Sequence, residues 1–469
     1  MIGAGISGLA AAHRLVELGL GQRLSVFEAS PRLGGVLATV HEDGYQVEQS
    51  ADNFITTIPW GLDLCRKLSL ADNLIQTNPA HRRTFVVRRG RLHRLPDGFL
   101  MMAPTRMWPL AVTPILSPMG KLRAGLEYFI PPRLSNGDES MASFVRRRLG
   151  REVFDRLVEP LVSAVYAADL ERLSVEATLS RFREMEREHG SLIRAMRRQM
   201  KARRHSPRES GARYSMFVTL REGLCSMIDA IEGRLPQGCV RLGTAVERLQ
   251  RMETGWDVWS RTGDRRLEHQ AIPPQPEMFD ALVLATPSHV TARLLEPVDP
   301  QLARDLGNIG HSGTAIVSLG FDREQVGHPL NGMGVVVPAI EQSPILACSF
   351  SSQKYAHRAP EGKLLLRVFV GGARRPELAE MDDAELLPLV LNHLKPLLDL
   401  RGEPRYCDIA HWPNTMPQYH VGHNELVARI EARAAKLPGL HLAGNAFHGV
   451  GIPDCIHGGE LAAEAVAGV

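Results

Sequence analysis

The first eight residues, Met-Ile-Gly-Ala-Gly-Ile-Ser-Gly, place Gly3, Gly5 and Gly8 in GxGxxG spacing, with Ile6 and Ser7 between the last two. That spacing suits a phosphate cradle. The first glycine allows a tight turn, the second lets backbone approach a pyrophosphate, and the third lets the following helix pack on a strand. A strand ending near Phe27 is followed by Glu28, twenty residues past Gly8, where a carboxylate can hold a ribose diol; Ala29 comes next. Arg32 can meet a phosphate, and Gly34, Gly35 and Val36 let the chain pass close to the cofactor. Together these residues predict dinucleotide binding.

The far end of the chain carries a second candidate contact, Leu442-Ala-Gly-Asn-Ala-Phe-His-Gly-Val-Gly-Ile-Pro-Asp-Cys-Ile456. It reads as a strand, a Gly-rich turn holding Gly444 and Asn445, and a closing helix started by Val450, Gly451, Ile452 and Pro453. A nicotinamide enzyme would normally need only the first cradle. A helix start aimed at a flavin ring would stabilise the negative charge that reduction places there, so the pair of motifs predicts FAD.

Further elements must join these ends. Strand-like Ala281 to Thr286, with Ala285 near its end, reads as the central return of the same domain, and Val246 is placed to contact adenine. A helical tract, roughly Met141 to Gln199, and a strand-rich tract, Thr314 to Val370, would hold substrate against the flavin. The fold class is therefore α/β: a discontinuous Rossmann-like FAD-binding domain (1–57, 214–288 and 430–469), an α+β substrate domain (58–92, 182–213 and 289–429) and a helical subdomain (93–181). Ser206 to Arg213 reads as a polar link. Only Met1 and Ile2 precede Gly3, so the leading strand reads as nearly absent. A start codon assigned too late is favoured over truncation, and poor flavin binding is expected of this exact sequence.

Composition narrows the function. A chain of 469 residues with 44% apolar and 23% charged residues is long enough for at least two domains and is not a disordered composition. A net charge of +3 does not indicate nucleic acid. Six cysteines without CxxC or ligand spacing, and His420, His423, His448 and His457 without ligand company, indicate no metal; satisfied polar contacts are expected of these histidines, with His448 near the flavin pocket. The clusters Arg146 to Arg148 and Arg194 to His205 read as solvated faces, against an anionic partner. Gly98 to Gly120, broken by Pro104, Pro109, Pro114 and Pro118, cannot simply span a bilayer; it is buried or dips into one leaflet.

Several segments carry a family resemblance: Glu159-Pro-Leu-Val-Ser-Ala-Val-Tyr-Ala-Ala-Asp169, Met416-Pro-Gln-Tyr-His-Val-Gly-His423 and Gly449-Val-Gly-Ile-Pro-Asp-Cys455. With the amino-terminal fingerprint, the chain resembles the protoporphyrinogen and coproporphyrinogen III oxidases of the amine oxidase-like flavoproteins. The resemblance implies an oxidase that moves hydride from a porphyrinogen to FAD and returns electrons to oxygen as hydrogen peroxide. It implies a basic residue near a substrate propionate, Arg83 first and Arg82 next, and a backbone carbonyl facing the macrocycle at Ala168. There the family has glycine, and the methyl group together with lost positive φ is expected to narrow the site. A cytoplasmic protein with porphyrinogen and oxygen as partners follows. Contact with the inner face of the cell membrane, a homodimer, and the choice between the two porphyrinogens stay open. The competing readings are an amine oxidase or carotenoid desaturase, and a non-catalytic escort protein of the same fold.

Overall fold

Short runs of two or three residues from three distant stretches of the chain form one parallel sheet. Ile2 bridges Phe27 on one side and Leu284 on the other. Val26–Phe27 pairs in parallel with Val240–Arg241, and Leu282–Leu284 with Leu440–Leu442. In this computed structural model, which describes all residues except 105, 134, 136, 206–215 and 264–274 and only the backbone of 100, 200 and 202–205, Met1 and Ile2 occupy the central strand position. The expected link at 206–213 lies outside the described residues.

The Ile6–Glu17 helix packs on this sheet beside the closing Ile452–Ala467 helix. Leu9, Ala12, Val26, Ile228, Val283 and Ile456 share their core, and Leu62, Leu64 and Leu68 of the Trp60–Lys67 region join it. A meander of Thr244–Arg251, Trp256–Thr262 and Glu277–Phe279 adds a second small sheet. The mixed α/β class agrees with the expectation.

The substrate side is built on a seven-stranded sheet. Its order is Tyr406–Pro417, His311–Asp322, Lys363–Gly371, Ile345–Ser349, Gly334–Val336, Thr84–Arg88 and Arg91–Arg94. Alternation sorts its side chains. Leu364, Leu366, Val368 and Val370 pack with Leu386, Val390 and Leu394 of the Asp383–Leu398 helix. Val86, Val336 and Ala347 face the other way, into a core shared with the helical region and Ala168.

The helical region departs from the expectation for Arg146 to Arg148. Arg148 is fully buried and its guanidinium forks onto Glu127, whose carboxylate also accepts from Ser191, Leu192 and Ile193. Arg147 bridges Glu139 and Glu186 and is half-buried, as is Arg146, which pairs with Glu171. The run is the inside of a charge network rather than a solvated face, because burying guanidinium requires paired carboxylates and hydrogen-bond acceptors. Gly98 to Gly120 is split as well: Met102, Leu110 and Leu116 are buried while Trp108, Val112 and Met119 are exposed. No helix among the described residues is long and apolar enough to cross a membrane.

Candidate functional site

At the top of the parallel sheet the amino-terminal cradle is open for a ligand. The Ile6–Glu17 helix begins at Gly5 with no capping side chain and no acidic residue in its first turn, so its first N–H groups remain free donors. A Cβ on Gly5 would meet nothing within 4 Å, whereas one on Gly8 would lie 2.0 Å from the Gly3 carbonyl oxygen. The helix start is thus tight against its own turn and clear on the outer side. An anion at this position gains both the free donors and the positive end of the helix dipole.

Glu28 stands beside the cradle, accepting from the Ala4 and Ser30 amides at 2.7 and 2.8 Å. Its carboxylate retains acceptor capacity for a diol after those two bonds. Arg32 is differently employed from the expectation: its guanidinium donates to the carbonyls of Leu33, Leu37 and Gly35, fastening the Gly34–Gly35 turn. Gly34 and Gly5 form a parallel bridge, while Val36 is 38% exposed and Ala29 is exposed. Ala285 donates its amide to Ile2, and Val246 packs near Leu249 and Trp256 on the meander.

The closing motif meets this cradle directly. A Cβ on Gly459 would lie 2.1 Å from the Ser7 carbonyl oxygen, so the two helices cross in backbone contact with both starts at the same edge. Gly451 begins the closing helix with Ile452 and Pro453 in its first turn, where the Asp454 carboxylate accepts from the Gly451 amide and its own. Gly444, at φ +134, has nothing within 4 Å of a Cβ position. The open donors of the first helix and the glycine turns of the closing motif fit a dinucleotide whose pyrophosphate lies at the first helix and whose ring lies toward the second.

Tyr419 joins the closing motif to the substrate side. Its hydroxyl donates to the Asn445 carbonyl at 2.6 Å and accepts the Gly449 amide at 2.9 Å. Its backbone carbonyl accepts from Ser174 of the helical region, and its ring stacks on His423 at 3.9 Å. Burial pushes the phenol well above its ordinary range, so it remains a donor. His423 contacts the Phe447 carbonyl at 3.1 Å and His420 contacts Arg172 at 3.4 Å, both satisfied polar contacts. His448 faces away from the expected pocket, 2.5 Å from Glu431 on the exposed surface. The described residues contain no cluster of three groups suited to a metal.

Opposite the closing motif lies the Tyr166–Asp169 turn. Tyr166 is half-buried; desolvation pushes its phenol up to about 12, and it feels the Asp454 carboxylate of the closing helix. The Ala168 expectation needs adjustment: the left-handed residue is Ala167, at φ 47 and ψ 36, while Ala168 is not among the positive-φ residues. No positive φ is therefore lost at Ala168. Ala168 is 3% exposed and its carbonyl accepts no hydrogen bond from the described residues.

Arg82 and Arg83 are exposed at the start of the Thr84–Arg88 strand, and neither forms an ion pair among the described residues. A further cation was missed from sequence. Arg374 follows the Gly371–Gly372 turn and lies 3.5 Å from both Glu159 and Asp169, one residue beyond Ala168. Burial raises the Glu159 carboxyl against the pull of the Ala339 amide and Arg374. The signal available was a basic residue after a double glycine ending a strand.

The known proteins agree with this geometry. Residues 6–467 match the model of the flavin containing amine oxidoreductases. The chain is 34% identical to the coproporphyrinogen III oxidase of Bacillus subtilis (strain 168), covering 98% of this chain and 96% of that one. It is 36% identical to the coproporphyrinogen III oxidase of Propionibacterium freudenreichii subsp. freudenreichii, covering 99% and 90%. A solved structure from Exiguobacterium sp. 255-15 superposes with a TM-score of 0.85 at 30% identity, over 99% and 97% of the two chains. FAD is the cofactor, and the chain belongs to the flavin-containing amine oxidoreductase family, in its group of coproporphyrinogen III and protoporphyrinogen oxidases.

Proposed function

We propose that this chain oxidises a porphyrinogen, coproporphyrinogen III before protoporphyrinogen IX, in porphyrin and haem biosynthesis, with oxygen as the acceptor. The observation that carries the proposal is the juxtaposition of the closing motif and the Tyr166–Asp169 turn, the first bonded by Tyr419 and the second by the adjacent Gln418. When bound, FAD supplies a two-electron acceptor that dioxygen regenerates with release of hydrogen peroxide. The rest of the work is positioning. Gly3, Gly5 and Gly8 hold the pyrophosphate, Glu28 holds the ribose, Val246 and Ala285 border the adenine half, and Asn445, Val450 and Gly451 border the ring.

The Ala168 carbonyl orients the reduced macrocycle, whose loosely held hydride needs alignment more than a strong base. Arg83, then Arg82, meet propionates at the rim, and Arg374 adds a cation beside Asp169. More cations favour coproporphyrinogen III, because protoporphyrinogen IX carries vinyl groups in place of two propionates. Tyr419 gives no support to an amine cage, since its ring is already stacked on His423.

The division into flavin (1–57, 214–288, 430–469), substrate (58–92, 182–213, 289–429) and helical (93–181) parts belongs to the same proposal. The sharing of the flavin-side core by Leu62, Leu64 and Leu68 favours moving the first boundary beyond residue 68. A membrane-facing surface is proposed for the helical part: Trp108, Met119 and Phe129 are 76%, 72% and 74% exposed, and Arg194 and Arg197 lie over neighbouring Tyr128.

Anaerobic mixing of FAD-loaded protein with each porphyrinogen tests the reading. Bleaching of the visible flavin band is expected with coproporphyrinogen III, faster than with protoporphyrinogen IX. A fully loaded flavin that neither compound bleaches overturns it.

A further inference from the structure

Ala167 occupies a conformation that an alanine adopts only under constraint. A left-handed non-glycine residue is strained and persists where its surroundings over-determine it. The constraint comes from the ends of two strands and from the preceding helix. The Ala167 carbonyl accepts from the Ser312 hydroxyl at 3.1 Å and from the Ala373 amide at 2.8 Å, while its amide donates to Ser163. A Cβ on Gly372, itself at φ +78, would lie 3.1 Å from that carbonyl oxygen, so a glycine there gives the carbonyl its room.

The preceding carbonyl is fastened as well. The Gln418 amide nitrogen lies 2.9 Å from the Ser312 hydroxyl oxygen and 3.2 Å from the Tyr166 carbonyl. Ser312 has one proton, which it donates to Ala167 while accepting from Gln418. The relay therefore runs Gln418, Ser312, Ala167 in one direction. The reverse amide orientation would set Oε1 against the Tyr166 and Met416 carbonyl oxygens, which excludes it. Gln418 and Ser312 are 4% and 2% exposed, and water does not compete for these bonds. Two successive carbonyls, Tyr166 and Ala167, are thus pinned, and the third, Ala168, is left without a partner among the described residues.

We propose that Gln418 and Ser312 are positioning residues for the reaction: by locking the Tyr166 and Ala167 carbonyls, they aim the Ala168 carbonyl at the substrate. This rests on the porphyrinogen reading above. Two buried side chains supplied by the His311–Asp322 strand and the end of the neighbouring Tyr406–Pro417 strand thereby fix the substrate-facing end of the helical region. Without them Ala167 itself would keep only the Ser163 and Ala373 bonds among the described residues, and its backbone could relax toward a right-handed conformation.

The test uses FAD-loaded Ser312→Ala and Gln418→Glu holoenzymes. With bound flavin and melting temperature near those of the parent, the limiting rate of anaerobic flavin reduction by coproporphyrinogen III is expected to fall by roughly 10- to 100-fold in Ser312→Ala, the scale of a small misplacement of reacting groups. Gln418→Glu keeps one donated bond in place of two while its buried carboxyl is protonated, so its rate is expected to stand below the parent's at low pH and to fall further as the carboxyl ionises and repels the Tyr166 carbonyl. That inflection is expected to be absent from the parent, and a merely structural residue would not create it. Parent-like rates in both variants, or a Gln418→Glu loss that is the same at every pH, overturn the proposal. A crystal structure of Ser312→Ala separates the two readings: a right-handed Ala167 and a turned Ala168 carbonyl support the positioning network even if no porphyrinogen reduces the parent flavin, and an unmoved turn refutes it.

Discussion

Gly459 and Ser7 bring two helices into backbone contact, with the position of a Cβ on Gly459 only 2.1 Å from the Ser7 carbonyl oxygen and 3.1 Å from the Ala11 amide. Because both atoms are helix backbone, neither can turn aside as a flexible side chain would. Gly459→Ala must push the closing helix away from the Ile6–Glu17 helix. Overpacking of this kind costs about 1–3 kcal/mol. The expected outcome is a lower melting temperature together with less FAD retained through purification, since the displacement separates the two helix starts. A variant with full flavin content and parent stability would show that the crossing does not set the cofactor site.

Tyr419→Phe removes two hydrogen bonds while keeping the ring that stacks on His423. The Asn445 carbonyl and Gly449 amide would each lose a partner inside the closing motif. At about 0.5–1.5 kcal/mol per bond, FAD affinity is expected to weaken by roughly tenfold. Titration of apoprotein with FAD, followed by flavin fluorescence, measures the change.

The parts of this site that sequence reveals are those whose partners are local. The spacing of Gly3, Gly5 and Gly8 is a property of one turn and one helix, and Glu28 follows at the distance set by a single helix and strand. The left-handed Ala167 is different, because its cause lies in Ser312, Ala373 and Gly372, which are brought to it only by the seven-stranded sheet. Ala168 drew the attention that belongs to Ala167, since a missing glycine is visible in sequence and a tertiary constraint is not. Arg148 is a similar case: its carboxylate partners, Glu127 and Glu186, sit on other helical segments, so a basic run that ends inside the protein reads as solvated. Gln418 lay within a recognised motif, but only its place beside Tyr166 gives it a role.

His311, the neighbour of Ser312, predicts an acid-sensitive fold. Burial, helped by nearby His289, lowers its imidazole from the usual 6.5 to about 4. The folded state therefore binds this proton less readily than the unfolded chain. The contribution to stability is complete above about pH 6.5 and is lost as pH falls toward the folded value near 4. Melting temperature is expected to drop across that window, and His311→Gln, which cannot titrate, is expected to drop less steeply. Equal slopes in parent and variant would rule out His311 as the source.

The exposed apolar face of the helical region makes a separate prediction. Trp108, Met119, Leu122 and Phe129 stand exposed, while Arg194 and Arg197 lie over Tyr128. Aromatic and aliphatic side chains at this density gain by entering the headgroup layer, and the cations gain near anionic lipid. The parent is expected to float with vesicles of phosphatidylcholine containing phosphatidylglycerol and to be released by high salt. Trp108→Ser with Phe129→Ser removes the anchors with little effect on the core, since both side chains are already in solvent. That double variant is expected to bind such vesicles roughly tenfold more weakly, the loss of about 1.4 kcal/mol of partitioning free energy, while its flavin content stays the same. Binding unchanged by the double variant would assign the attraction to the basic residues alone, and the absence of parent binding at low salt would refute a membrane role for this face.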